Sequence, residues 1–317
     1  MIKINSFDAV PALKSPLILT IGNFDGLHRG HKKVIRKVIA RARELGGTPA
    51  LLTFEPHPRS YLHPENAPPL ILTREEKIEI VSRWGVELYV EIAFTKEFAA
   101  KSAEEFLGNL FDSLSPGEIY IGEDFKFGAG RKGDMEVLRK FSASRGCFAE
   151  AVPKLMVDGE EVSSTRVRNE LLEGNIERAH VLLGRPFEVR GEVVAGDRRG
   201  RTLGFPTANI DMGAKLIPSN GVYVTCLDMG AGVVLPSVSN LGDRPTFHEK
   251  ERVVLEIHVL KGTHELYGRR ARCLFFHKLR DEVKFNSAEE LVAQIAKDKA
   301  EAERYFELNP LIKKAFY

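Results

Sequence analysis

Leu17-Ile18-Leu19-Thr20-Ile21-Gly22-Asn23-Phe24-Asp25-Gly26-Leu27-His28-Arg29-Gly30-His31 is the stretch on which the fold turns. Leu17–Ile21 reads as a buried strand, and Val34, Ile35, Val38, Ile39 and Ala42 then recur at helical spacing, so glycine-rich chain joins a strand directly to a helix. Outward from there the rhythm repeats. Strands are expected at Ala50–Phe54, Glu87–Ile92, Ile119–Ile121 and Cys147–Val152, and helices at Glu75–Trp84, Ser102–Phe111 and Asp134–Ser142. Ser102 with Glu105 three residues on reads as a capping box. Strands alternating with helices imply a doubly wound parallel sheet covered on both faces. Val167–Leu183 reads as two short helices broken near Gly174-Asn175.

After Gly184 the alternation stops. Phe187–Val194, Gly221–Leu227, Val233–Val238, Val253–Leu260 and Ala271–Leu279 are strand-like and punctuated by Gly, Pro and Asp, which predicts a small β-barrel. A terminal helix should follow, with Leu291, Val292 and Ile295 on one face. The expected fold class is α/β plus β, with domains at residues 1–183 and 184–317. The 317 residues agree with a prior of about two domains. Lys+Arg 46 against Asp+Glu 44 leaves a net charge of +2, which argues against a dedicated nucleic-acid binder. The three cysteines, Cys147, Cys226 and Cys273, are too few for a disulfide framework. No apolar run approaches the ~18 residues of a membrane span. The opening MIKINSFDAV lacks a basic stretch followed by an apolar block, so no signal peptide is expected and the cytoplasm is the expected compartment.

Residues 22–31 occupy the position where open α/β sheets bind ligands. Gly22, Gly26 and Gly30 allow close backbone approach, and a helix N-terminus favours phosphate. His28 and His31 are three apart and share a face, suited to donating hydrogen bonds to charge developing at an α-phosphate. Gly128-Ala129-Gly130-Arg131-Lys132-Gly133 also matches GxGxxG, but after the fourth expected strand and behind an extended Phe125-Lys126-Phe127, so the match is read as accidental. In the second half, Gly196, Gly200 and Gly204 lie among Arg198, Arg199 and Arg201, an anion-binding composition. Thr207 and Asn209 share a face of an extended segment and offer hard oxygen ligands for Mg²⁺ on ATP phosphates. Glu256 falls on the polar face of its strand, facing solvent or a site.

GNFDGLHRGH resembles the HxGH signature of the nucleotidyltransferases, and specifically the adenylyltransferase module of the bacterial bifunctional riboflavin kinase/FAD synthetase family. Thr53–Arg59, Gly122–Gly128 and Ser163–Arg168 are similar to further motifs of that module. GFPTAN at residues 204–209 resembles the kinase signature, and residues 220–223, 240–247, 256–258, 266–268 and 279–285 agree in order. The resemblance implies two activities: phosphorylation of riboflavin to FMN and adenylylation of FMN to FAD. It implies His28, His31 and Glu256 as catalytic residues, Glu256 being the kinase base. It implies ATP contacts from Gly22, Asn23, Phe24, Asp25, Gly30, Ser164, Thr165, Arg166, Gly196, Arg201 and Gly204. It implies flavin contacts from Phe54, His57, Pro58, Asp124, Phe125, Phe127 and Arg280, and Mg²⁺ at Thr207 and Asn209. Taken singly, Phe54, Phe125 and Phe127 read as core, Glu256 as an exposed strand residue and Arg280 as a surface arginine. Asp124 stands where the family often has an amide, and Lys261–His264 where it often has an acid. The expected partners are riboflavin, FMN, FAD and ATP, with no nucleic acid or membrane; homo-oligomerisation stays open. The alternatives are a single-activity enzyme keeping one module for flavin binding, a non-catalytic flavin- or nucleotide-binding regulator and, on the GxGxxG match alone, an NAD-dependent oxidoreductase.

Overall fold

The computed structural model describes residues 1–7, 10–194, 205, 207–213, 215–244, 252–262 and 264–310. Two compact units divide the chain, Met1–Ser164 and Thr165–Tyr317.

The first unit runs β1 (Ile2–Ile4), β2 (Leu17–Ile21), α1 (Arg29–Leu45), β3 (Thr48–Glu55), α2 (Pro58–Leu62), α3 (Arg74–Trp84), β4 (Leu88–Ala93), α4 (Lys96–Ala99), α5 (Ala103–Leu114), β5 (Glu118–Gly122), α6 (Met135–Ser144), β6 (Phe148–Val152) and a short hairpin, β7 (Met156–Val157) and β8 (Glu160–Glu161). The sheet order is β1-β4-β3-β2-β5-β6, and every neighbouring pair is parallel. Both faces are covered, as a parallel sheet requires. Leu17, Leu19 and Ile21 pack with Phe106, Leu107, Leu110 and Phe111 of α5 and Leu138 of α6. On the opposite face Ile18 meets Val34, Val38 and Ala42 of α1, while Leu51 and Tyr89 meet Ile35 of α1 and Ile78 and Val81 of α3. The predicted capping box of Ser102 and Glu105 starts α5, and Thr73 with Glu76 starts α3 the same way. Because β2 pairs with β3 on one side and β5 on the other, its C-terminal end opens at the topological switch point, where residues 22–28 lie.

The GxGxxG segment serves packing. Phe127 and Gly133 exchange backbone hydrogen bonds of 3.1 and 2.9 Å, closing a loop before Asp134 caps α6. A Cβ on Gly128 would meet the Ala103 nitrogen at 2.6 Å, and one on Gly133 the Phe127 ring at 2.6 Å, so these glycines seat the loop on α5.

The second unit takes all but the first residue of α7 (Ser164–Leu172), then α8 (Ile176–Leu183), β9 (Phe187–Val194), β10 (Ala208–Ile210), β11 (Gly221–Asp228), β12 (Val234–Arg244), β13 (Arg252–Val259), β14 (Arg270–Arg280) and α9 (Ala288–Leu308). Its barrel closes in the order β10-β13-β12-β11-β14-β9, antiparallel throughout. One side of the strands buries Tyr223, Leu227, Leu241, Leu255, Ile257, Cys273 and Phe275. Among them Thr225 Oγ1 lies 2.8 Å from Ser237 Oγ and 2.6 Å from Ser239 Oγ, so the buried hydroxyls satisfy one another. The other side packs Val222, Val224, Cys226, Leu274 and Phe276 against Ala302 and Phe306 of α9. The expected terminal helix is present: Leu291, Val292 and Ile295 are half-buried, and its deepest contacts come a turn or more later, at Asp298, Ala302 and Phe306.

The short pieces β1, β7, β8 and β10 escaped the sequence reading, because two or three residues carry no readable alternation. Of these, β10 closes the barrel between β9 and β13. Its junction with β9 is tight: a Cβ on Gly191 would sit 1.9 Å from the Asp211 carbonyl oxygen. Gly191→Ala should therefore destabilise the barrel by roughly 1–3 kcal/mol. Calorimetry should show the barrel transition lowered and that of the parallel-sheet unit unmoved.

Candidate active sites

The first site is a strained turn ending in a histidine cap. Phe24 (φ 52°), Gly26 (φ 80°) and Leu27 (φ 42°) all lie in the left-handed region, which disfavours Phe and Leu. Such backbone persists only where its surroundings over-determine it. Here Phe24 and Leu27 are buried, and Asp25 Oδ1 accepts the backbone N–H groups of Ile71 (3.0 Å) and Leu72 (3.3 Å). The Ser164 hydroxyl donates to the Asp25 carbonyl at 2.8 Å. The Asn23 carbonyl accepts from Lys77 Nζ (3.0 Å) and from Thr53 Oγ1 (3.3 Å). A Cβ on Gly26 would strike Ile71 Cδ1 at 2.9 Å, so both φ and space call for glycine there.

His28 is the N-cap of α1. Its Nδ1 accepts the His31 backbone N–H at 3.3 Å, and the two imidazoles stack with centroids 3.7 Å apart and planes 19° from parallel. Phe24 meets the His31 ring edge-on at 5.3 Å. A Cβ on Gly30 would come within 3.0 Å of His28 Nδ1, so that glycine makes room for the capping ring. Because Nδ1 accepts, a neutral His28 ring carries its proton on Nε2.

The expected contacts fare unevenly. Asp25 is buried, and its Oδ1 accepts the backbone N–H groups of Ile71 and Leu72. Phe54 and Phe127 are buried in an aromatic cluster with Phe94, Phe98 and Phe106, as the residues taken singly suggest. Phe125 is half-buried, its ring 5.9 Å from that of Phe127. His57 caps α2 and Pro58 opens it, both half-buried. Asp124 is exposed and pairs with Lys154 at 3.6 Å. Thr165 is exposed on α7 and Arg166 half-buried. Sequence reasoning assigned nothing to Lys77, and only the folded chain shows that it reaches Asn23. Near it, burial pushes the Glu55 carboxyl above the ordinary range, with the Lys77 ammonium opposing.

The second site lies across three barrel strands. Glu256 on β13 stands directly opposite Asn209 on β10 and Asn240 on β12, so the three side chains share one face. Asn209 is buried, and among the described residues its Oδ1 has no hydrogen-bond partner. A buried, unpartnered amide oxygen fits a hard divalent cation. Thr207 is half-buried two residues before it, its carbonyl accepting the Tyr267 hydroxyl at 3.3 Å. Asn240 is the member that sequence reading left without a role. Arg280 is held by Asp298 of α9: Nε reaches Oδ1 at 3.0 Å and Nη2 reaches Oδ2 at 2.8 Å. Gly196, Arg201 and Gly204 lie outside the described residues.

The comparisons with known proteins give the class first. The FAD synthetase family model matches residues 10–166 and the riboflavin kinase family model residues 183–306. A bifunctional riboflavin kinase/FMN adenylyltransferase of Pseudomonas fluorescens is 39% identical over 287 residues, covering 90% of this chain and 91% of the relative. The protein of that description from Escherichia coli K12 is 38% identical over 293 residues, covering 92% and 93%. The chain belongs to the bifunctional riboflavin kinase/FMN adenylyltransferase family. A crystal structure from Streptococcus pneumoniae, described as a macrolide-efflux protein, superposes with a TM-score of 0.87 at 29% identity, covering 95% of this chain and 98% of that one. Among the described residues of this chain, no helix is long and apolar enough to cross a membrane.

Asp25→Ala would leave two buried backbone N–H groups without an acceptor. The parallel-sheet unit should lose about 1–3 kcal/mol per orphaned group, read as a lower urea midpoint.

Proposed function

We propose that the chain makes FAD from riboflavin in two steps at two separate sites, with the functional boundary at residues 183/184. In the barrel, the terminal ribityl hydroxyl oxygen of riboflavin attacks the γ-phosphorus of ATP. The bond from γ-phosphorus to the β-bridging oxygen breaks, ADP leaves, and Glu256 takes the hydroxyl proton. Asn209 and Thr207 would hold Mg²⁺ on the ATP phosphates, where the ion would neutralise their charge. The buried Asn209 oxygen, which has no hydrogen-bond partner among the described residues and lies beside Glu256, supports this placement.

In the parallel-sheet domain, a phosphate oxygen of FMN attacks the α-phosphorus of a second ATP. The α–β phosphoanhydride bond breaks and pyrophosphate leaves. The nucleophile is already anionic, so no general base is needed. His28 and His31 donate hydrogen bonds to the charge that builds on the α-phosphate oxygens. The stacked pair at the capped start of α1 is the single observation that carries this half of the reading. Ser164 helps through its bond to the Asp25 carbonyl, which braces the turn. The half-buried Phe125 offers a face to the flavin ring, while Phe54 and Phe127 shape the wall behind it. The proposed compartment is the cytoplasm.

His28→Ala should lower FAD formation at least ~100-fold and leave FMN formation near native. Glu256→Gln should lower FMN formation by about 100-fold or more and leave FAD formation from supplied FMN near native. Both are read by chromatographic separation of flavins from Mg-ATP reactions, and one substitution stopping both steps in folded protein would contradict independent sites. Asn209→Ala should raise the Mg²⁺ concentration that half-saturates the kinase step several-fold in a metal titration. An unchanged midpoint would remove Asn209 from the metal site.

A further inference from the structure

Lys77 sits in the first turn of α3 and is only 7% exposed. Lysine is rarely buried so completely without a purpose for its charge or its donors. Its Nζ donates to the Asn23 carbonyl at 3.0 Å, and Thr53 Oγ1 at the end of β3 donates to the same oxygen at 3.3 Å. Burial pulls its pKa below the ordinary lysine range. The carboxylates of Asp25 on the turn, Glu55 at the end of β3 and Glu91 on β4 oppose that, and Arg74 on its own helix adds to it.

Two donors on one carbonyl fix a peptide plane. In a trans peptide the C=O and the following N–H point in opposite directions. Holding the Asn23 carbonyl toward Lys77 therefore turns the Phe24 N–H away from Lys77. The same contact pins the residue preceding the left-handed Phe24, where the turn is strained. Two independent anchors stand beside it: α3 opens with the Thr73–Glu76 capping box, and Ile71 and Leu72 bind Asp25. Lys77 is thus delivered to Asn23 by a segment that already grips the next turn residue but one.

We propose that Lys77, assisted by Thr53, is a positioning residue for adenylyl transfer: it orients the Asn23–Phe24 peptide so that the turn presents its N–H to the phosphates of ATP. This deepens the reading of the first site and rests on it. Lys77 touches the turn and not the reacting atoms, so its loss should weaken ATP binding more than turnover.

The test uses the full chain carrying Lys77→Met or Thr53→Val, each removing one donor to the same oxygen with little change of volume. FAD formation from FMN is followed against ATP concentration, with riboflavin phosphorylation as an internal control. Lys77→Met should raise the KM for ATP by about tenfold with kcat within about threefold, and Thr53→Val should shift KM in the same direction by less. Lys77→Arg, which keeps a charged donor, should recover part of the lost affinity. The kinase step should be unchanged in all three. A merely structural lysine would lower the active fraction, and so kcat, at unchanged KM; that pattern, or a native KM in whichever of Lys77→Met and Thr53→Val is recovered folded, overturns the inference. His28→Ala run in parallel separates the two levels. If it keeps FAD formation, the site reading fails and the inference falls with it; if it loses FAD formation while KM stays native in the donor variants, only the inference fails.

Discussion

The His31 backbone N–H donates to His28 Nδ1, and the geometry of the turn proposed for adenylyl transfer depends on that contact. It makes a histidine the cap of α1, where serine or aspartate is the usual choice. It places the proton of a neutral His28 ring on Nε2 and stacks the second imidazole against the first. It also requires a residue without a side chain at Gly30 and a left-handed Leu27 immediately before the cap. The cost of that backbone is carried by the surrounding fold: Asp25, Ser164, Thr53 and Lys77 all bind the turn. Polar side chains that would be idle in a core here hold the turn in shape.

The barrel solves a different problem with a different device. Antiparallel register puts residues from neighbouring strands side by side, so Asn209, Glu256 and Asn240 meet although Asn240 lies 31 positions after Asn209 and 16 before Glu256. One face of the strands buries a hydroxyl cluster and aromatic rings, and the other is covered in part by α9. Glu256, the proposed proton acceptor, therefore stands on its strand beside two amides. Asp298 of α9 holds Arg280 in turn, tying the terminal helix to the end of β14.

How much of this was legible in the sequence follows from the length of each signal. β2, α3, β9 and the capping box at Ser102 could be read within a residue or so, because alternation, helical spacing and cap chemistry are local. The histidine pair was legible for the same reason: a spacing of three at a helix start fixes a shared face. The three-residue β10 was not, since its pairing partners lie far away in sequence. Nor was Lys77, whose place on α3 looks like any solvated lysine until the sheet brings Asn23 to it. The bonds from the Ile71 and Leu72 N–H groups to Asp25 were equally illegible, since 46 and 47 positions separate the partners.

The central claim is that two triphosphates are cut at different bonds in different domains. Parallel reactions of riboflavin with Mg-ATP labelled at the γ- or the α-phosphorus test it most directly. The account predicts that γ-label enters FMN and is retained in FAD, whereas α-label enters FAD alone. Label from the α-position in FMN, or FAD whose flavin phosphate carries no γ-label, would contradict it.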